Sequence, residues 1–259
     1  MKFPTSRLVL VAVLVAIIGC QIVQAETIGI HGSDPVVFEE SWQFWAGWGA
    51  IGLGSFLIDQ PLHDFSQKGR LHGATAENVF SVFEKFGKSE PYLGAAGILA
   101  VDGLIFHHPK SIRVIRDIAI SAFECNVISG VVKKAMGRKR PGSATSPGKF
   151  FSGGDSFISG HTISAFTLAT VLAKYYPEQD LDAIGINEPK PLIPVLCYSI
   201  AGLVAVERIY DNHHWASDVV FGAMAGYYSG SLAIWTGEKL TRKKIAFLPG
   251  NPATLAYRW

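Results

Sequence analysis

The chain has 259 residues, a formal net charge of +2 at pH 7, 49% hydrophobic side chains and 17% charged ones. So small a net charge gives no reason to expect nucleic-acid binding, and so apolar a chain is not disordered as a whole. The composition is apolar for a soluble protein and polar for a bundle of membrane spans.

The N-terminus has the pattern of an export signal. Lys2 and Arg7 precede an unbroken apolar run at residues 8–18, as in secretory signal peptides. Small residues then predict cleavage after Ala25, which would remove residues 1–25. The sequence ending at Cys20 also resembles a bacterial lipobox, which would leave that cysteine lipidated, and an uncleaved anchor helix is the third interpretation. All three place the rest of the chain in the periplasm or otherwise outside the cytoplasm.

Hydrophobic periodicity predicts a series of helices, separated by polar loops, within residues 26–259. No alternating run predicts a sustained strand, and no composition shift marks a domain boundary, so a single all-α bundle of about six core helices is expected. Asp59-Gln60-Pro61 should end the first helix, and a short strand is the most that the tail should contain. The expected helices cover residues 41–58, 75–86, 91–106, 111–137, 160–176, 192–207 and 215–235.

The length of the apolar runs bears on whether this bundle lies in a membrane. A membrane-spanning helix needs about 20 consecutive apolar residues. Residues 219–237 come closest, residues 41–58 and 191–206 are shorter, and two other helices are interrupted by Asp102 and Glu124. We therefore expect a compact exported bundle at a membrane surface in preference to an integral membrane bundle.

The cysteines and the paired histidines give no sign of a metal or another cofactor, and none is expected. Cys125 and Cys197 lie in apolar helical stretches, where two buried thiols are expected rather than a disulfide. No paired Cys/His spacing fits zinc. The adjacent His107 and His108 are expected in a solvated loop between helices.

The stretch around His214 and Asp218 has the residue types of a catalytic pair. If a helix runs from His214 onward, the two side chains share one face, and a carboxylate there can fix the imidazole tautomer. His213 would face elsewhere. Arg208, just upstream, has a fork suited to phosphate or carboxylate. Taken alone, a purely structural His–Asp pair explains these residues equally well.

Two earlier stretches carry anion-binding residue types. Lys133 and Arg140 bracket a predicted helix end, where they also fit a simple basic cap. Ser159, Gly160 and His161 follow a glycine-rich loop at a predicted helix start. Amides and a hydroxyl at that position bind anions, and His161 would be placed to give a proton. The alternative is that Ser159 only caps the helix and His161 is a surface histidine.

Together the three stretches resemble the signature of the type 2 phosphatidic acid phosphatase superfamily. That superfamily includes lipid phosphatases, bacterial periplasmic acid phosphatases and vanadium haloperoxidases. The resemblance covers about residues 111–235 and implies the all-α fold of those proteins. The matching residues are Lys133 and, after six residues, Arg140-Pro141; Ser159-Gly160-His161; and Arg208 with His214 and Asp218.

The resemblance also implies a role for each matched residue. His214 would be the nucleophile that carries the phosphoryl group, Asp218 would orient it, and His161 would be the general acid. The phosphoryl oxygens would be bound by Lys133, Arg140, Arg208, Ser159 and the Gly160 amide. Cations and a helix N-terminus would stabilise charge on these oxygens without a metal.

Two residues depart from the usual motifs of the superfamily. Ile158 stands where a proline usually precedes Ser-Gly-His, and the change is expected to loosen the loop. Glu207 stands where a serine usually precedes the arginine. We expect Glu207 to pair with Arg208 or with another cation of the site, and so to lower phosphate affinity or to shift the pH optimum.

The sequence therefore predicts an exported, metal-independent phosphatase that acts on a lipid or amphiphilic phosphate monoester or diphosphate through phosphohistidine. The resemblance suggests phosphatidic acid, phosphatidylglycerol phosphate, polyprenyl diphosphate or a lipid A phosphate as substrate. The alternatives are a phosphatase for soluble phosphomonoesters, a haloperoxidase with vanadate on His214, and a non-catalytic lipid-phosphate-binding membrane protein. The chain is short for a haloperoxidase, and its complete set of site residues argues against a non-catalytic protein.

Overall fold

A computed structural model describes residues 42–67, 74–181, 186–242, 245–247 and 255–257. The predicted signal, with Cys20 and Ala25, lies outside these residues. The described part contains seven α-helices, which confirms the all-α prediction. They are α1 (Trp42–Ser66), α2 (Ala74–Phe86), α3 (Glu90–Ile105), α4 (Pro109–Met136), α5 (Gly160–Tyr175), α6 (Leu192–Tyr210) and α7 (Ala216–Arg242).

Short non-α elements join or follow the helices. A 3₁₀ turn covers Pro141–Ser143. Strands β1 (Gln179–Leu181) and β2 (Ile186–Lys190) pair antiparallel between α5 and α6, and β3 (Ile245–Phe247) pairs antiparallel with β4 (Leu255–Tyr257). The sequence predicts only the terminal strand, because strands this short carry too little alternation to be recognised.

The first helix is longer than predicted. It continues through Pro61 to Ser66, although an internal proline removes one backbone hydrogen bond. Side-chain bonds hold the segment on both sides of the proline. Asp59 binds Arg138, and the Gln67 side chain donates to the carbonyl of Tyr210 at 3.1 Å. The prediction that Asp59-Gln60-Pro61 ends the helix is therefore wrong, because tertiary contacts outweigh the cost of the proline.

Helix α5 lies at the centre of the bundle and packs against α4, α6 and α7. The small residues of α7 permit a close approach, as predicted. A Cβ added to Gly226 would lie 2.6 Å from the Ile163 carbonyl oxygen, and one on Gly230 would lie 2.8 Å from that of Thr167. This close packing places the N-terminus of α5 beside the first turn of α7.

Two further predictions concern the cysteines and the paired histidines. Cys125 is a buried free thiol, as expected, and Cys197 is half-buried. His107 and His108 are exposed between α3 and α4, and His108 Nδ1 lies 2.9 Å from an Asp102 carboxylate oxygen. The pair therefore belongs to a solvated interhelical loop, as predicted.

Large apolar side chains cover much of the outer surface of α3, α4 and α6. Where many large apolar side chains are exposed together, they mark contact with another protein or with a membrane. Within the described residues, α6 is the helix that is long and apolar enough to cross a membrane, judged by length and composition, and 44% of its most apolar window is buried in the bundle. The exposed side chains include Leu93, Ile98, Val101, Leu104, Phe123, Val127, Val131, Leu192, Val195 and Leu196.

Candidate active site

His214 lies in the turn before α7 and faces Asp218 in the first turn of that helix. Its Nδ1 is 3.6 Å from Asp218 Oδ2 and 3.5 Å from the hydroxyl of Ser156. The helix begins at Ala216, one residue after the expected start, so the helix from His214 onward on which the pairing was conditional does not form. The pairing is nevertheless as predicted, because Asp218 reaches back to cap the helix and accepts the Trp215 N–H at 3.0 Å.

The Asp218 carboxylate is buried and fully engaged. Oδ2 also accepts the Ser156 hydroxyl at 2.5 Å, and Oδ1 accepts from the Arg138 guanidinium at 2.5 Å. Burial alone would raise its pKa, but the hydrogen bond and charge of His214 and the charge of Arg138 outweigh burial and hold the pKa below its usual value. Asp218 is therefore an ionised acceptor that can orient the Nδ1–H of His214.

His161 is the second residue of α5, and its environment keeps it neutral. Its Nε2 is buried and has no hydrogen-bond partner among the described residues. Gly87, which ends α2, lies so close that an added Cβ would be 2.6 Å from the His161 Cβ. Burial first, and then the charges of Arg208 and His214, lower the pKa of His161 to about 4. The unpartnered nitrogen is free to meet a group brought by a ligand.

Ser159 is the N-cap of α5, as the alternative interpretation of that motif expects. Its hydroxyl accepts from the Thr162 hydroxyl at 2.9 Å, and its N–H donates to the Asp218 carbonyl at 3.0 Å. The hydroxyl and the N–H of this fully buried residue are thus both engaged within the protein. Its contact with phosphate stays a prediction.

Lys133 and Gly160 lie side by side, as the predicted phosphate site requires. The Lys133 ammonium is 3.4 Å from the position that a Cβ on Gly160 would occupy. Burial lowers the pKa of Lys133, and the carboxylate of Asp155 opposes that effect. A cation next to the first amide of α5 is a suitable place for an anion.

Arg140 makes an ion pair at the edge of the same region. Its Nε and one terminal nitrogen each donate to Asp155 at 2.8 Å, and the Asp155 side chain is 63% exposed. The hydrogen bond from Arg140 outweighs partial burial and lowers the pKa of Asp155. Ion pairs this exposed contribute roughly 0–1 kcal/mol, so an incoming phosphate can displace Asp155 at little cost.

The glycine-rich loop before α5 packs against the segment that follows α4. The Gly154 N–H donates to the Gly137 carbonyl and the Ser156 N–H to the Arg138 carbonyl, both at 2.9 Å. A Cβ on Gly154 would collide with the Arg138 carbonyl. Gly154 therefore serves close backbone packing, and these two amides do not contribute to an anion site. Ile158, in the same loop, is 3% exposed within an apolar cluster, which anchors the loop there.

Glu207 pairs with Arg208, which is one of the two arrangements expected for it. Both carboxylate oxygens accept from the Arg208 guanidinium. Glu207 is completely buried and Arg208 is 3% exposed, so the fork predicted to bind phosphate is occupied by an internal carboxyl group, whose pKa burial raises to about 7. Glu84 on α2 lies farther away, with 3.9 Å between its Oε1 and the Arg208 guanidinium.

One group near Arg208 has the residue types of a cation site. Glu207, Asp211 and His213 present ligand atoms that all lie within 4.8 Å of one another. The sequence did not predict this group. Because the Glu207 carboxylate already holds Arg208, a metal ion there would have to compete with the guanidinium.

Sequence reasoning missed four residues that hold the site together: Arg138, Asp59, Ser156 and Ser217. Arg138 is fully buried and binds Asp59, Ser217 and Asp218. One feature of the sequence indicates that Asp59 has a buried cationic partner. Asp59 is the first charged residue after a long charge-free stretch, residues 41–58, and an acid buried beside such a stretch needs a buried cation.

Comparison with known proteins identifies the segment that carries the three motifs. Residues 116–242 match the family model described as the PAP2 superfamily. A lipid A 1-phosphatase of Porphyromonas gingivalis is 31% identical over 125 residues, which are 45% of this chain and 26% of the relative. A PA-phosphatase related-family protein of Dictyostelium discoideum is 30% identical over 132 residues, 48% of this chain and 49% of the relative. The chain thus matches between a quarter and a half of each curated relative.

Two solved structures are similar to the chain. Aquifex aeolicus LpxE shares 22% identity with a TM-score of 0.48, over 69% of this chain and 95% of that chain. A transmembrane PAP2 type phosphatidylglycerolphosphate phosphatase from Bacillus subtilis shares 19% identity with a TM-score of 0.49, over 90% of this chain and 97% of that chain. All three motifs lie inside residues 116–242, the segment of this chain that matches the PAP2 superfamily model.

Proposed function

We propose that the chain is an exported phosphatase that hydrolyses a lipid or amphiphilic phosphate through a phosphohistidine on His214, without a metal ion. The observation that carries the proposal is the His214–Asp218 pair, with Nδ1 and Oδ2 3.6 Å apart. A carboxylate that holds Nδ1 in its protonated form leaves the Nε2 lone pair free for attack on phosphorus.

The first chemical step transfers the phosphoryl group to His214. Nε2 forms a bond to phosphorus while the bond to the leaving oxygen breaks, and that oxygen takes a proton from protonated His161. The unpartnered Nε2 of His161 supports this role. A bound phosphate dianion would favour protonation of His161, because it offsets the nearby cations that lower the pKa of the free histidine.

The second step releases phosphate. Neutral His161 takes a proton from water, the water oxygen bonds to phosphorus, and the bond from phosphorus to Nε2 breaks. Lys133 beside the Gly160 amide stabilises the charge on the equatorial oxygens. Arg140 and Arg208 join them when phosphate replaces the Asp155 and Glu207 carboxylates on their guanidinium groups.

Exposed apolar side chains on α3, α4 and α6 support an amphiphilic substrate. Leu93, Leu104, Phe123 and Leu196 are each at least 60% exposed. Side chains of this kind stabilise a protein in contact with lipid, where the acyl chains of a substrate also lie. The lipid A 1-phosphatase relative makes a lipid A phosphate one substrate to test, together with phosphatidic acid and a polyprenyl diphosphate.

Phosphate release from a substrate panel tests the proposed function. Purified protein in detergent would receive phosphatidic acid, lipid A 1-phosphate, polyprenyl diphosphate and an aryl phosphate, each with and without EDTA. We expect phosphate release from at least one lipid, a higher kcat/KM for it than for the aryl phosphate, and no effect of EDTA. Loss of activity in EDTA would contradict the metal-independent mechanism, and turnover of the aryl phosphate alone would contradict the lipid assignment.

A further inference from the structure

Arg138 is the centre of a buried charged network that joins α1 to the His214–Asp218 pair. Its side chain is completely buried. One terminal nitrogen donates to Asp59 Oδ2 at 2.5 Å, and the other donates to Asp218 Oδ1 at 2.5 Å and to the Ser217 hydroxyl at 2.7 Å. A single guanidinium thus bridges two buried carboxylates from α1 and α7.

Asp59 also holds the first turn of α7 directly. Its Oδ1 accepts the Ser217 N–H at 2.8 Å, and its Oδ2 accepts the Ser217 hydroxyl at 2.7 Å. A carboxylate at a helix N-terminus is stabilised by the amides exposed there. Asp59 therefore fixes both the residue next to Asp218 and the cation that binds Asp218.

The guanidinium of Arg138 has no remaining freedom to bind a substrate. Its Nε donates to the Pro147 carbonyl at 2.9 Å, so all three nitrogens are engaged. Its central carbon lies 4.7 Å from the Phe150 ring centroid and 5.6 Å from that of Trp215. Arg140, only two residues later, is by contrast half-exposed and held by an exposed carboxylate.

We propose that Asp59 and Arg138 are positioning residues for phosphoryl transfer, which fix the Asp218 carboxylate so that its Oδ2 faces His214 Nδ1. Arg138 occupies one of the six unspecified positions between Lys133 and Arg140, and Asp59 lies outside all three motifs and outside residues 116–242, which match the family model. The proposal rests on the nucleophilic role of His214 in the proposed function. It assigns to α1, a helix without any motif, a part in the chemistry.

Neutralising Asp59 should act on His214 through the charge balance of this network. Without the negative charge of Asp59, Asp218 is the only carboxylate that pairs with the Arg138 guanidinium. The positive charge of Arg138 then offsets more of the negative charge of Asp218. The imidazolium of His214 then loses stabilisation from Asp218, while Lys133 and Arg140 still oppose it, so the pKa of His214 falls. Misplacement of a reacting group by about 1 Å can cost about a hundredfold in rate, and we expect kcat to fall by about tenfold to a hundredfold.

The test compares Asp59→Asn with Asp117→Asn in the full chain. Asp117 is the matched control because it is also completely buried and paired, with the Arg116 guanidinium and the Tyr175 hydroxyl both at 2.6 Å. Rates would be corrected for the folded fraction measured by near-UV circular dichroism. The pKa of His214 would be measured by NMR with ¹⁵N-histidine, and its signal assigned by its loss in His214→Gln.

The expected result is a lower kcat with a KM changed by less than about threefold, together with a lower pKa of His214, in Asp59→Asn only. If both variants lose stability alike and the pKa of His214 does not move, the network is merely structural and the proposal is overturned. Should Asp59→Asn fail to fold, Ser217→Ala removes two bonds of the network and keeps every charge. That variant should lower kcat, and an unchanged kcat would overturn the proposal.

The NMR readout separates this proposal from the proposed function. A wild-type protein that releases no phosphate from any substrate would contradict the phosphatase assignment. In that case a lower pKa of His214 in Asp59→Asn would still support the positioning network, and an unchanged pKa would overturn it.

Discussion

Replacing Glu207 by glutamine is expected to tighten substrate binding. Both oxygens of the Glu207 carboxylate accept from Arg208, and the two side chains are almost completely buried. Phosphate can use the Arg208 fork only if it displaces or shares this contact. A serine occupies the position of Glu207 in the usual motif, so this internal competition is a property of this chain.

The expected change in KM follows from the strength of the Glu207–Arg208 contact, which competes with phosphate. A hydrogen bond to a charged group contributes about 1.5–3 kcal/mol. Glutamine keeps one acceptor oxygen at Glu207 and removes the charge, so we expect it to relieve about 1.4 kcal/mol of competition. This corresponds to a KM about tenfold lower. The kcat should change by less than about threefold, because Glu207 touches no group that reacts in the proposed mechanism.

Initial rates of phosphate release over a range of substrate concentrations would measure both constants, and competitive inhibition by vanadate would report affinity independently. Glu84→Gln is the matched control. Its carboxylate is 3.9 Å from Arg208 and 34% exposed, and contacts of this kind contribute under about 1 kcal/mol. A KM that stays the same or rises in folded Glu207→Gln would refute the reasoning, and a rise would indicate that Glu207 orients Arg208 for phosphate.

Three other predictions follow from the site and its support. His161→Ala should reduce kcat much more for an alkyl phosphate than for an activated aryl phosphate, and equal losses would contradict the general-acid role. Because His161 has a pKa of about 4 in the free protein, its protonated fraction falls as pH rises. The alkyl-to-aryl ratio of kcat/KM should therefore fall from pH 4 to pH 7, and a flat ratio would count against the assignment. Gly226→Ala should cost about 1–3 kcal/mol of stability, whereas Gly130→Ala, with nothing within 4 Å of the added Cβ, should not lower the melting temperature.

The sequence predicted that the side chains of His214 and Asp218 meet, but not the local structure that brings them together. His214 and Asp218 were paired on the assumption that both are helical. They meet instead because Asp218 caps α7 and turns back toward the preceding residues. Four-residue spacing brings the two side chains together in both geometries, so the contact forms although His214 is not helical.

The supporting network could not be predicted in the same way. Asp59 and Arg138 lie 79 positions apart and meet only when α1 packs beside α7. A spacing rule describes neighbours on one helix and does not extend to contacts between helices. The course of α1 past Pro61 was missed for the same reason, since the bonds that keep it helical come from distant segments.

Covalent labelling of His214 tests the central claim most directly. Purified protein would be mixed with a phosphate-labelled lipid substrate, quenched in alkali to preserve phosphohistidine, digested, and analysed by mass spectrometry. We predict a phosphorylated peptide that contains His214, formed and lost at rates that match turnover, and no labelled peptide and no phosphate release in folded His214→Ala. Full phosphate release by His214→Ala, or a label on another residue, would contradict the account.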